Sequence, residues 1–143
     1  MISVVFPVYN EEENVGKLHA AIKRVVDGLG EPYEIIAVYD DSTDNTLFEL
    51  KKLSPVKIVV FAKNRGQTSA LDAGFKIAKG DVVITLDADL QNDPQDIPRL
   101  VKKLREGYDV VSGWRKNRHD DWGRKVLSRS ANWLTWKVTG LYL

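Results

Sequence analysis

Two aspartates one residue apart, Asp87 and Asp89, are followed by Gln91 and preceded by the apolar run Val82-Val83-Ile84-Thr85-Leu86. Carboxylate and amide oxygens are hard donors. They suit Mg²⁺ or Mn²⁺, cations commonly held by one or two carboxylates together with substrate phosphates. In extended chain the side chains of residues i and i+2 share a face, so Asp87 and Asp89 are expected to meet one cation. An acidic turn that merely ends a strand has the same short pattern. The surrounding residues must decide between the two readings.

Three further polar clusters follow apolar runs. Pro7-Val8-Tyr9-Asn10-Glu11 offers a stiffened exit at Pro7, a ring for stacking at Tyr9 and an acceptor at Glu11. Glu12 and Glu13 read as acids favoured by the dipole at a helix start. Tyr39-Asp40-Asp41-Ser42-Thr43-Asp44 supplies a carboxylate for a base N–H or a ribose hydroxyl, with one of its three acids free to cap a helix. Asp40 is expected to serve recognition rather than stability. Lys63-Asn64-Arg65-Gly66-Gln67-Thr68 brings cations and a glycine to a helix N-terminus, a natural anion site. Neither G-x-G-x-x-G nor G-x-x-x-x-G-K-[ST] occurs, which disfavours a dinucleotide enzyme or a P-loop phosphotransferase. His19 and His119 are isolated and read as surface residues.

The elements that must position these clusters alternate regularly. Strands are expected near 2–6, 33–39, 56–62, 81–86 and 108–113, and helices near 13–28, 44–53, 67–79, 95–106 and 122–138. Val15, Leu18, Ala21-Ile22 and Val25-Val26 recur at helical spacing before Gly28 and Gly30, and Asp93-Pro94 opens a later helix. Five strand–helix units predict a three-layer α/β fold with a mostly parallel, Rossmann-like sheet and right-handed crossovers. Ligands of such sheets bind at the carboxyl ends of the strands, where all four polar clusters fall.

Composition narrows the classes further. The 143 residues, 43% hydrophobic and 29% charged, suit a single globular domain spanning 1–143. A net charge of +1 argues against a nucleic-acid partner, and with no cysteine there is no disulfide or thiolate metal site. The start Met1-Ile2-Ser3-Val4 lacks the basic lead of a signal peptide, and no apolar run approaches the ~20 residues of a membrane span. A cytoplasmic location is expected.

Several motifs in order carry a family resemblance. Pro7-Val8-Tyr9-Asn10-Glu11, the Asp40 turn, Gln67 to Gly74, Asp87 to Pro94, Asp109 to Arg115 and Ser128 to Leu134 resemble the inverting family 2 glycosyltransferases of fold type A. Within that family the chain most resembles the polyprenyl-phosphate sugar transferases, the dolichol-phosphate mannose synthase group and its bacterial undecaprenyl-phosphate relatives. The resemblance implies that Pro7, Tyr9, Glu11 and Asp40 hold the nucleoside of a UDP- or GDP-linked sugar. It implies catalytic roles for Asp87, Asp89, Arg115 and Arg124. Asp87 would lie near the ribose and donor sugar, while Asp89 and Gln91, with Asp87, would bind Mg²⁺ or Mn²⁺ on the diphosphate. Arg115 and Arg124, with Ser128, would face the phosphate of a polyprenyl phosphate acceptor.

Three features depart from the family pattern. Tyr39 stands where an acidic residue is usual, and Asp41 where glycine is frequent. The chain also ends at Leu143, where members of the group continue with acceptor-binding elements and often membrane helices. The expected object is the donor-binding portion of a longer enzyme, truncated at its C-terminus and working at the cytoplasmic face of a membrane. The alternative is a truncated, engineered or reconstructed nucleotide-binding fragment without turnover. A nucleotidyltransferase is a weaker rival, because Tyr9-Asn10-Glu11 occupies the place of its Gly-rich basic loop.

Residues 115–129 hold six Lys/Arg against two Asp, a local charge of +4. Leu127, Ala131, Leu134, Val138 and Leu141 recur at helical spacing beside Trp122, Trp133 and Trp136. A basic amphipathic helix with tryptophan, about 122–138, reads either as a membrane-surface element or as a helix packed on the sheet. Sheet edges and apolar faces left open by truncation would favour self-association.

Overall fold

The computed structural model describes residues 1–113 and Lys137. Contacts divide the chain into a compact unit Met1–Ser112 and a second unit Gly113–Leu143. Every element below belongs to the first unit.

Four strands form in chain order: β1 (Ile2–Val8), β2 (Tyr33–Tyr39), β3 (Lys57–Val60) and β4 (Val82–Thr85). Helices α1 (Val15–Asp27), α2 (Thr46–Lys51), α3 (Gln67–Ile77) and α4 (Ile97–Leu104) alternate with them, and a 3-10 turn, Pro94–Asp96, leads into α4. The sheet runs β3-β2-β1-β4 and every pair is parallel. The chain winds outward from β1 through β2 to β3, then crosses back to place β4 on the other side of β1. A reversed direction with an unchanged crossover hand puts the connecting helix on the opposite face. The two core clusters reflect this.

Ile2, Val4, Phe6 and Val8 of β1 pack with Ile35 and Ala37 of β2 against Val15, Leu18, Ile22 and Val26 of α1, joined by Ile97 and Val101 of α4. Val5, Ile36 and Val38 point to the other face and meet Ala70 of α3. Period-two alternation in the strands thus feeds two helical layers, the three-layer arrangement expected. Close packing of α3 needs a small residue: a Cβ on Gly74 would stand 2.3 Å from a Val5 methyl.

Pro7 sits in a central strand without disturbing it. The Ile2 amide donates toward β2, to the Pro32 carbonyl, so alternate residues, Pro7 among them, face β4. The β1–β4 ladder has ended by then, at Val5 opposite Thr85, and no bond is lost at Pro7.

Two expectations fail here. Residues 108–113, expected as a fifth strand, pair with no strand among the described residues: the Tyr108 amide turns back to the Leu104 carbonyl, and Val110 is 82% exposed. β-branched residues make a strand only when paired with a partner edge, and among the described residues this segment does not pair with β4, the last strand of the sheet. His19, expected at the surface, is buried; it follows Leu18 on the core side of α1, and its Nε2 lies 2.9 Å from the Pro55 carbonyl. The helix expected at 122–138 lies outside the described residues.

Candidate functional site

The order of strands reverses between β1 and β4, and at such a switch point the loops after the two strands diverge to leave a crevice. The segments leaving those strands are Tyr9–Asn14 and Leu86–Asp93.

β4 ends at Thr85, and Ala88 and Asp89 already lie in a turn. The extended i, i+2 geometry expected for Asp87 and Asp89 is therefore replaced. Ala88 is buried against the core, which anchors the turn between the two acids. Leu90 takes φ 61°, a left-handed conformation that a bulky residue rarely adopts. Strain of this kind, on the order of 1–3 kcal/mol, persists only where surrounding structure imposes it. The Asp89 carboxylate accepts the Gln91 amide at 3.0 Å and is otherwise exposed to solvent. The half-buried Asp87 accepts a 2.7 Å bond from the side-chain amide of Gln67 and a long one, 3.5 Å, from that of Asn92. Asp93 accepts the Gln95 amide and starts the 3-10 turn, with Pro94 in its first position as expected.

Among the described residues no three acidic or histidine side chains converge on one point. The donor set here is two carboxylates and an amide, all oxygen. It fits a hard divalent cation that completes its shell with water and substrate phosphate rather than one caged by protein.

The β1–α1 and β2–α2 loops are stitched to each other. Asn10, at φ 54°, donates its amide to the Ser42 hydroxyl, while its side-chain oxygen accepts the Thr43 amide at 2.8 Å. The Glu11 amide donates to the Thr46 hydroxyl, and its carboxylate accepts from the Asn14 side chain. Glu12, expected only to complement a helix dipole, accepts the Asn45 amide, and its own amide donates to Asp44. Asp44 is the capping acid of its cluster, accepting the Thr46 amide and hydroxyl. Burial would raise the Asp44 pKa, but these bonds from Thr46 and the Glu12 amide outweigh it and hold it below the usual range. Tyr9 projects from this platform with its ring about half exposed, at 47%.

Asp40 directly follows β2 and is buried. Its two carboxylate oxygens accept the Arg65 amide at 2.7 Å and the Gly66 amide at 2.8 Å, and its carbonyl accepts from Asn64. The expectation that Asp40 has no structural part is thus overturned: it builds the loop that starts α3. A carboxylate has about four acceptor positions, so lone pairs remain for a nucleoside. The anion site expected before α3 is altered for the same reason, since Asp40 already occupies these two amides. The Arg65 guanidinium lies 5.6 Å over the Phe61 ring.

Both departures in the β2–α2 loop have a physical outcome. Tyr39 is buried, and its hydroxyl donates to the Ser42 carbonyl at 2.9 Å, bracing the loop from beneath. Asp41 adopts φ 54°, the left-handed conformation that glycine takes readily and aspartate tolerates.

The structure therefore brings Pro7, Tyr9, Glu11, Asp40, Asp87, Asp89 and Gln91 to one edge of the sheet. Arg115, Arg124 and Ser128 lie outside the described residues. Asn10, Glu12 and Gln67 were not singled out as positioning groups in the sequence. A short polar side chain beside a glutamate in a post-strand loop was the available signal for the first two; nothing local marks Gln67.

The chain spans about half the length of several solved structures that it resembles. A mycobacterial protein is 29% identical with a TM-score of 0.73, the match covering 96% of this chain and 47% of that one. Glucosyl-3-phosphoglycerate synthase from Mycobacterium tuberculosis, solved with Mn²⁺, uridine-diphosphate-glucose and phosphoglyceric acid, is 26% identical with a TM-score of 0.74, covering 98% of this chain and 51% of that one. S. aureus TarS is similar in fold alone, at 20% identity and a TM-score of 0.63 over 84% of this chain and 24% of that one. With the strand order, the open acidic turn and the match to Glycosyl transferase family 2 over residues 3–141, this chain belongs to that family.

Proposed function

We propose that this chain is the donor-binding portion of a metal-dependent inverting glycosyltransferase acting on a nucleoside-diphosphate sugar, UDP- or GDP-linked. The observation that carries the reading is the Asp87–Asp89 turn beside the point where the strand order reverses. The M. tuberculosis synthase crystallised with Mn²⁺ and uridine-diphosphate-glucose supports both the cation and the donor class.

Asp89 and Gln91, with Asp87, would hold Mg²⁺ or Mn²⁺. When bound, such a cation supplies Lewis-acid neutralisation of the departing diphosphate. Tyr9 offers its exposed ring to the base, Pro7 keeps the strand exit stiff, and Glu11 and Asp40 offer acceptors to base and ribose. Asp87, set further inside than Asp89, faces the ribose and donor sugar. Attack by an acceptor oxygen on the anomeric carbon, opposite the leaving diphosphate, inverts that carbon.

For the acceptor we propose a polyprenyl phosphate, on the motif resemblance and on the basic tryptophan-bearing segment 115–138. Arg115, Arg124 and Ser128 would take its phosphate at the cytoplasmic face of a membrane. A phosphate monoester is anionic near neutral pH and needs no strong general base. A small phosphate-bearing acceptor is the second reading, favoured by the phosphoglyceric acid in the similar synthase. We further propose that residues 1–143 act as one nucleotide-sugar-binding domain.

Calorimetric titration with UDP and GDP, each with and without Mn²⁺, tests the donor reading. Metal-dependent binding of one nucleotide is expected; binding of neither overturns it. Incubation with labelled nucleotide-sugar plus polyprenyl phosphate or phosphoglycerate then separates the acceptors. Binding without transfer to either leaves the non-catalytic fragment.

A further inference from the structure

We infer that Gln67 is a positioning residue for Asp87, setting the orientation of one carboxylate of the proposed metal–diphosphate site from the first residue of α3; this rests on the donor reading above. Asp87 lies two residues beyond the end of β4, so no ladder bond fixes its backbone. Of its two side-chain hydrogen bonds among the described residues, the one from Gln67 is short at 2.7 Å, whereas Asn92 stands at the 3.5 Å limit. Gln67 thus decides where Oδ1 points.

The donor is itself held in place. Gln67 follows Gly66, whose φ of 82° suits glycine. The amides of Arg65 and Gly66 are clamped by the two oxygens of buried Asp40. Asp40, the 65–66 loop, Gln67 and Asp87 form one bonded path from the end of β2 to the end of β4. It passes over the strand between them, so the loop that would meet the nucleoside and the turn that would meet the diphosphate share one support.

The chemistry of the amide is what such a place requires. A neutral N–H orients a carboxylate without cancelling the charge that attracts a cation, whereas lysine or arginine would compete with the cation. Hydrogen-bond partners of ligating carboxylates are worth 10–100-fold in metal affinity.

The test compares UDP binding by calorimetry, in Mn²⁺ and in EDTA, for the parent, Gln67→Met and Gln67→Lys. Gln67→Met keeps the length and removes the donor. It is expected to lower the Mn²⁺-dependent affinity about tenfold, with binding in EDTA and the melting temperature unchanged; Gln67→Lys should lower it further. Gln67→Met binding Mn²⁺–UDP like the parent overturns the inference. So does a loss of equal size with and without metal, which marks a structural role. If Gln67→Met melts early, Gln67→Asn, one methylene too short to reach, replaces it in the same comparison and its binding is read in the same way. A parent that binds UDP with no response to Mn²⁺ overturns the donor reading instead, and this role with it.

Discussion

The two edges of this sheet hold carboxylates in opposite ways. At the amino edge Glu34, the second residue of β2, is buried and saturated: it accepts from the Ser3 hydroxyl at 2.7 Å, the Lys79 amide at 2.6 Å and the Lys57 ammonium. The Gly80 amide in turn donates to Ser3, and a Cβ at Gly80 would stand 2.6 Å from the Ser3 nitrogen. The protein's own donors occupy this carboxylate. At the carboxyl edge Asp89 is exposed, Tyr9 is half exposed, and the three non-glycine residues with left-handed backbone among the described residues, Asn10, Asp41 and Leu90, all lie in loops. The same side-chain chemistry therefore serves stability where its lone pairs are filled and, in the proposed donor site, is left to a ligand where they are open.

The largest effect should fall at the closed edge. Glu34→Ala strands a buried hydroxyl and an amide and is expected to cost on the order of 3 kcal/mol in urea unfolding. Nucleotide binding of the folded variant should be unchanged. If binding fell while stability held, the division between the edges would be wrong.

The same residue predicts a pH profile. Burial would raise its pKa, but the Lys57 and Ser3 side chains and the Lys79 amide outweigh it and hold it down at about 2. A carboxylate with a folded pKa below its unfolded value of 4.5 gives full stability above that value and loses it as pH falls toward 2. The loss should reach on the order of 2–3 kcal/mol between pH 6 and 2. The profile should flatten in Glu34→Gln, as followed by urea midpoints.

Asp40→Ala sits across the divide, since Asp40 is buried and bonded to the protein like Glu34 yet keeps lone pairs open on the carboxyl edge. Removing it leaves two amides unpaired and should cost about 2 kcal/mol of stability as well as nucleotide affinity. A melting temperature equal to the parent's would show that the loop before α3 holds without it. Asp89→Asn should do the reverse: melting unchanged, and the Mn²⁺-dependent part of UDP binding reduced at least about tenfold, or 1.4 kcal/mol. Retained Mn²⁺ dependence would move the cation elsewhere.

The smallest effect sharpens the contrast in backbone strain. Asp41→Gly should raise stability by about 0.5 kcal/mol, because relief of φ 54° slightly exceeds the entropy glycine adds to the unfolded chain. A decrease would mean that the Asp41 side chain supports the loop.

How far the sequence could be read depends on the range of each interaction. Alternating apolar runs and helical spacing identified four strands and four helices, because both periods are local properties of the chain. Asp93-Pro94, and the presence of a capping acid among Asp40, Asp41 and Asp44, were legible for the same reason, since each acts within two residues of itself; that the acid is Asp44 came from the structure. The polar clusters were placed at one edge by the parallel topology that the alternation implies. Residues 108–113 were misread because a run such as Val110-Val111 becomes a strand only with a partner, which no local pattern supplies. His19 was misread although its spacing, four residues after Val15 and three before Ile22, places it on the apolar face; only the tertiary structure supplies the Pro55 carbonyl that lets its ring be buried there. Tertiary structure alone decided that Asp40 would be filled by the 65–66 loop, that Asn10 and Glu12 would tie two loops together, and that Gln67 would reach Asp87 across 20 positions. Each is a hydrogen bond between distant segments, and its geometry exists only after the sheet has brought those segments to a common edge.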